Sequence, residues 1–230
     1  ILGLLPNPGT FAEYIAVPAK DVFPAPAHLS TDEAAALPLA GLTAYRAVVT
    51  KGEVRSGDRV LITGIGGGVA LAAMRFCLAL GAECYVTSSS EGKFQRAVAF
   101  GAKAGVNYRA PDYLDQLKRT ISGPIDVIVD GAGGAFGPLC RLLRPQSRIV
   151  CYGGTASGDM SINMVGVLKN VELRGSTMGS RREFADMLRL VDEKKVRVDV
   201  DRTIAGLASA EDAFEAMRSG DQFGKQVIRI

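Results

Sequence analysis

The sequence predicts an open, mainly parallel α/β sheet with helices on both faces, spanning residues 45–180. Three observations predict it. Short, nearly continuous apolar runs recur through the middle of the chain, as strands covered on both faces require. Segments with helical spacing separate them, so strand and helix alternate. The first run is followed at once by Gly64-Ile65-Gly66-Gly67-Gly68, which opens a helix.

The elements follow in order. Asp58 to Thr63 is the first buried strand, and Val69 to Leu80 is a helix apolar on every face except at Arg75. Glu83 to Thr87 is the second strand, and Glu91 to Phe100 an amphipathic helix stopped by Gly101. Gly105 to Tyr108 is a third strand. Pro111 to Ile121 is helical, with proline at the start, where its missing N–H costs nothing. Ile125 to Val129 is strand four, Phe136 to Leu143 a short helix closed by Pro145, Arg148 to Tyr152 strand five and Val171 to Arg174 strand six.

The flanks read differently. Residues 1–28 carry five prolines and read as strand fragments, Thr10 to Val17 and Val22–Phe23. Thr31 to Val49 is helical with a break at Leu37-Pro38, and 181–194 is a charged amphipathic helix. Val196 to Val200 reads as a strand without a place. Ile204, a helix from Ser209 to Met217 and a strand from Lys225 to Ile230 finish the chain, and the two ends are expected to pack together.

Composition excludes several classes. Lys plus Arg is 27 and Asp plus Glu 24, a net +3, too small a surplus to point to nucleic acid or an anionic membrane. The longest uncharged apolar stretch, Ala34 to Tyr45, is too short for a bilayer span and holds a proline and a glycine. Cys77, Cys84, Cys140 and Cys151 have no C-x-x-C spacing and lie in apolar runs, so they read as reduced, buried thiols of a cytoplasmic protein. His28 is the sole histidine, which rules out a His-rich metal site; it reads as a surface residue of a Pro-rich connection.

The glycine string carries the chemistry. A glycine loop between a strand and a helix lets a diphosphate approach the backbone, where free N–H groups and the helix dipole meet it. The strand before, the helix after and a second strand about 20 residues on are the context such a loop needs. The end of the second strand then selects the cofactor. An acid there would hold a ribose 2′-OH. Thr87-Ser88-Ser89-Ser90 offers hydroxyls instead, with Lys93 beyond, which suits a 2′-phosphate and so NADP(H). Glu91 reads as a first-turn helix residue.

GTFAEYIAVPA, LPLAGLTAYRAV, GDRVLITGIGGGVALAA, VTSSSEGK and GVNY, in that order, resemble the medium-chain dehydrogenase/reductase superfamily across nearly the whole chain. The resemblance implies a Rossmann doubly wound sheet flanked by the remnant of a GroES-like β-rich catalytic domain. The implied division is 1–44 (partial catalytic domain and connecting helix), 45–180 (NADP-binding) and 181–230 (return to the catalytic domain). The branch it looks most like is the zinc-free quinone-oxidoreductase-like one, whose loop is A-x-x-G-x-x-G/A. Gly67 and Ala70 match its last two positions, and the first Ala is replaced.

Residue by residue, the resemblance implies that Gly67, Gly68, Val69 and Ala70 cradle the diphosphate. Ser88, Ser89 and Lys93 would face the 2′-phosphate, and Tyr108 the adenine-ribose end. Thr43, Gly131, Gly153 and Gly154 would line the nicotinamide side, with Met178 of the Ser176-Thr-Met-Gly179 stretch closing over it. Where zinc-using members carry a cysteine ligand, this chain has Leu39, which cannot ligate zinc. The family's N-terminal segment is largely absent and the first residue is Ile1, so the parent protein is expected to be longer. No proton donor is nominated: Tyr14 and Tyr45 read as packing residues, and Arg181-Arg182 as a solvated face.

The implied activity is hydride transfer from NADPH to a quinone or an α,β-unsaturated carbonyl, in a homodimer. The alternatives are a zinc-dependent alcohol dehydrogenase with its ligands elsewhere, and a catalytically silent NADP(H)-binding sensor or interaction module.

Overall fold

A computed structural model describes residue 2 and residues 6–230. That part of the N-terminal strand expectation which falls on residues 1 and 3–5 lies outside them. The strands are β1 (Arg59–Ile62), β2 (Glu83–Ser88), β3 (Ala104–Asn107), β4 (Ile125–Asp130), β5 (Gly134–Ala135), β6 (Leu143–Cys151), β7 (Met160–Ser161), β8 (Glu172–Gly175), β9 (Val200–Ala205) and β10 (Lys225–Arg229). The α-helices are α1 (Thr31–Tyr45), α2 (Gly68–Ala79), α3 (Glu91–Ala99), α4 (Tyr113–Thr120), α5 (Met164–Leu168), α6 (Arg181–Glu193) and α7 (Ala210–Ser219).

Six strands form one parallel sheet in the order β3-β2-β1-β4-β6-β8. The alternation of β1 shows why its run is apolar throughout. Val60 and Ile62 enter one core with α1, α2 and α6, where Val86, Val127, Val129 and Met187 join them. Leu61 enters the opposite core with Ile128, Ile149 and Leu117 of α4. Both faces are therefore buried, as a doubly covered parallel sheet demands.

Several expectations need correction. Thr10 to Val17 and Val22–Phe23 form no strand; a 3₁₀ turn at Ala19–Asp21 is the only regular element there. Tyr14 is 91% exposed, and no described strand lies alongside to accept backbone bonds. α1 does not break at Leu37-Pro38. It passes through Pro38 and continues as a π-helical turn over Arg46–Lys51. A Ser30–Glu33 capping box and the burial of Ala36, Leu37, Ala40 and Ala44 outweigh the ~3 kcal/mol proline cost.

The helix expected at Phe136 to Leu143 is only a 3₁₀ turn, Leu139–Arg141. Its C-terminal end is drawn into β6, which starts at Leu143 rather than Arg148 and pairs with β4 on one side and β8 on the other. Val196 to Val200 is not a strand: β9 begins at Val200 and pairs in parallel with β10. His28 is not a free surface residue. It is half-buried and its Nε2 lies 3.0 Å from the Val196 carbonyl, tying the Pro-rich segment to the end of α6. The ends do meet, with Phe11 and Phe214 edge to face at 5.9 Å and Arg229 bonded to Asp32 at 2.9 Å.

Candidate functional site

A parallel sheet sends all its C-terminal strand ends to one edge. Strand order reverses between β1 and β4, because β2 and β3 lie on one side of β1 and β4, β6 and β8 on the other. Loops leaving adjacent strands in opposite directions open a crevice there. Eleven of the thirteen residues implicated by sequence lie at or just past strand ends along this edge or in the N-cap and first turn of α2; Lys93 stands in the first turn of α3, and Thr43 lies in α1.

After β1, Thr63 and Ile65 still bond sideways, to the Val129 and Thr87 carbonyls at 3.1 and 2.8 Å. The chain then turns through Gly64 and Gly66 at φ +63° and +126°, a region that favours glycine. Gly67 is the N-cap of α2, and nothing lies within 4 Å of where its side chain would be. Leu71 N–H is the first to bond back, to Gly67 O at 3.0 Å. The N–H groups of Gly68, Val69 and Ala70 are thus the unpaired donors of the helix end. The alkyl chain of Lys225, from β10, crosses Gly68. Sequence reasoning missed Lys225, which lies 157 positions from Gly68 in the chain; the basic residue after Gly224 was its only signal.

At the end of β2, Ser88 is buried and its Oγ accepts the Ser90 N–H at 3.1 Å. Ser89 is half-buried. No carboxylate ends the strand, and Glu91 accepts a bond from Gln95 one helical turn on, at 2.9 Å. Tyr108 bonds through its N–H to Ser88 O at 3.2 Å and leaves its ring 45% exposed. Lys93 lies across Gly66 and its ammonium donates to Gly220 O, at the C-terminal end of α7.

On the other side of the crevice stands Asp130, which the sequence reading passed over. It is 2% exposed and accepts from Thr63 Oγ1 at 2.5 Å, Ala132 N at 3.0 Å and Gly133 N at 2.7 Å, with Cys151 Sγ at 3.5 Å. One carboxylate therefore joins the loops after β1 and β4 to the end of β6. An acid closing an apolar strand just before Gly-Ala-Gly-Gly was the available sign, since a buried carboxylate must be bonded.

Gly131 is where the Tyr152 ring comes closest: a Cβ there would stand 2.6 Å from the phenol oxygen. Burial, then the Asp130 charge, pushes the Tyr152 phenol above its ordinary range, so it stays protonated. Gly153 and Gly154 pack backbone to backbone against Gly131 O and Ser157 O. Beyond them a cavity of about 350 Å³ is lined by Tyr152, Gly153, Gly154, Ser176 and Thr177. Ser176 Oγ is buried there without a hydrogen-bond partner among the described residues. Met178, at φ +50°, brings its sulfur 3.7 Å from Thr43 Oγ1, and that hydroxyl also donates to Leu39 O at 2.8 Å.

The described residues do not fit a zinc site. Leu39 presents a 53% exposed alkyl chain, and no group of three His, Cys, Asp or Glu among them could hold a metal ion. Tyr45 packs edge to face with Phe76 at 6.0 Å, and Tyr14 is exposed. All four cysteines are free and buried. Arg181 and Arg182 are exposed, as a solvated face requires, and Arg181 pairs with Asp21 at the surface.

Comparison with known proteins bears on the family and the fold. The family described as zinc-binding dehydrogenase matches residues 68–193. The "Zinc-type alcohol dehydrogenase-like protein YogA" of Leptosphaeria maculans is 40% identical over 96% of this chain. The "Probable quinone oxidoreductase" of Leishmania amazonensis is 27% identical over 96% of the chain and is covered to 71%. A crystal structure titled NAD-dependent alcohol dehydrogenase superposes with a TM-score of 0.88 at 33% identity, over 97% of this chain and 66% of that one. The chain spans 65% of the length of the Leptosphaeria relative.

Proposed function

Because this chain belongs to the zinc-binding dehydrogenase family, within the medium-chain dehydrogenases/reductases, we propose that it is an NADPH-dependent, zinc-free oxidoreductase that reduces a quinone or an α,β-unsaturated carbonyl. The observation that carries the reading is the pairing of a donor-rich glycine loop at the β1/β4 crevice with a β2 end that offers serines and no acid. Residues 45–180 are the cofactor-binding unit in this proposal, with 1–44 and 181–230 on the substrate side.

The N–H groups of Gly68, Val69 and Ala70 would hold the diphosphate, with Gly67 leaving the approach open. Lys225 would add positive charge beside them. Ser88, Ser89 and Lys93 would take the 2′-phosphate and Tyr108 the adenine-ribose end. Gly131, Gly153, Gly154, Thr43 and Met178 would shape the nicotinamide side. The bound nicotinamide supplies the hydride at C4, and the protein supplies orientation and electrostatics. Asp130 ties the loops after β1 and β4 to each other across the crevice. No described side chain is assigned as proton donor.

β8 ends the six-stranded order, and α5 beside it exposes Met164, Val167 and Leu168. We assign that edge to a homodimer contact, in a cytoplasmic enzyme with a small-molecule substrate. A second reading, an NAD-dependent zinc alcohol dehydrogenase, is favoured by the names of the Leptosphaeria relative and of the 33%-identical structure.

Titration of the chain with NADPH and NADH, following cofactor fluorescence, tests the cofactor reading; the chain has no Trp to interfere. Preference for NADPH is expected, and preference for NADH would favour the second reading. Turnover of a simple quinone with NADPH, without added metal, tests the reaction. Binding without turnover would favour a silent NADP(H)-binding module.

A further inference from the structure

Lys93 reaches away from the serines at the end of β2. Its alkyl chain crosses Gly66, so that a Cβ on Gly66 would stand 2.9 Å from Lys93 Cδ, and its ammonium donates to Gly220 O. Gly220 is the left-handed C-cap of α7, at φ +71°. α7 has little else to hold it: Ala213 is its only buried residue, while Phe214 and Met217 are 40% and 54% exposed. The segment after it is anchored independently. Phe223 is buried, with Arg96 stacked 4.1 Å from its ring centre. Gly224 N–H bonds to Gly66 O at 3.0 Å, and Lys225 N–H to Asp199 O at 2.8 Å.

We propose that Lys93 is a cofactor-operated latch, which ties the end of α7 across the glycine loop and is exchanged onto the 2′-phosphate of an entering NADP(H), releasing α7 while residues 223–225 stay in place. The proposal rests on the NADP(H) reading above. The exchange is favoured because a phosphate meets the ammonium with a full negative charge, whereas the Gly220 carbonyl offers it only a dipole. The site thereby couples the adenosine end of the cofactor to the apolar cavity of about 300 Å³ between α7, Phe11 and β10.

The test is hydrogen exchange of the α7 amides, with NADPH, with NADH and without nucleotide, in the wild-type chain and in Lys93→Met, which keeps the alkyl cover over Gly66. Without nucleotide, Lys93→Met should speed α7 exchange about tenfold, the worth of a hydrogen bond to a charged group. Lys93→Arg should restore slow exchange. NADPH should speed α7 exchange in the wild type and add nothing in Lys93→Met, and NADH should leave α7 exchange unchanged in both. Exchange in β1 and β4 reports that each variant is folded. Unchanged α7 exchange in folded Lys93→Met would overturn the latch. So would tighter binding of NADPH than NADH with α7 exchange unmoved. Equal binding of the two nucleotides, or none, would overturn the cofactor reading and the exchange with it; the nucleotide-free Lys93→Met arm tells that failure from failure of the tether.

Discussion

Replacing Asp130 should expose how much of the site rests on one carboxylate. Asp130→Ala removes the acceptor of three hydrogen bonds, from Thr63 Oγ1 at 2.5 Å and from the N–H groups of Ala132 and Gly133 at 3.0 and 2.7 Å. A bond to a charged group contributes about 1.5–3 kcal/mol. Three would sum to at least ~4.5 kcal/mol, but burying the carboxylate costs several kcal/mol, which the alanine recovers in part. The bonded atoms are only part-buried, so water can reach some of the freed donors. The net expectation is a loss of about 3 kcal/mol, or roughly 6–12 °C in Tm for a chain of this size. Asp130→Asn keeps one acceptor oxygen and should lose about half as much. Urea unfolding followed by far-UV circular dichroism measures both. A loss below about 1 kcal/mol for Asp130→Ala, with the m-value unchanged, would refute the assignment of Asp130 as the tie between the crevice loops.

Further outcomes follow from other sites. Burial works against ionisation of Glu183, but the Ser180 N–H, Thr50, the Ser180 hydroxyl and Arg46 outweigh it and hold its pKa at about 2. A folded-state pKa below the unfolded ~4.3 stabilises above the unfolded value and is lost as pH falls. Glu183→Gln should therefore cost about 2 kcal/mol at pH 7, with the gap to wild type closing between pH ~4.5 and ~2 in acid-unfolding curves. Gly67→Ala meets nothing within 4 Å, and its φ of −72° suits alanine. Its Tm should stay within about 1 °C of wild type, while NADPH affinity falls tenfold or more; equal affinity would remove Gly67 from the diphosphate path. All four cysteines are free and buried, and burial raises the Cys140 and Cys151 thiols. A thiol reagent at pH 7 should leave the native chain nearly unlabelled and label all four after denaturation, as read by intact mass.

The alternation of apolar runs and helical segments determined the sheet, because burial on both faces leaves no other pattern for β1, β2 and β4. The glycine loop was legible for the same kind of local reason: Gly64 and Gly66 need positive φ, and α2 must begin with free N–H groups. Local signals misled where a distant partner decided. Pro38 marked a break that packing against α2 overrides. The helix expected after Phe136 gave way to β6 because β4 and β8 stand on either side of it. Thr10 to Val17 reads as a strand fragment but has no described strand to pair with.

Within the site, only the tertiary structure could bring Lys225 over Gly68, stand Tyr152 against Gly131, join three loops through Asp130 and turn Lys93 toward Gly220. Each of these contacts spans a long stretch of chain. A residue's own neighbours fix its backbone preference, whereas its partner across the fold is fixed by how the elements pack.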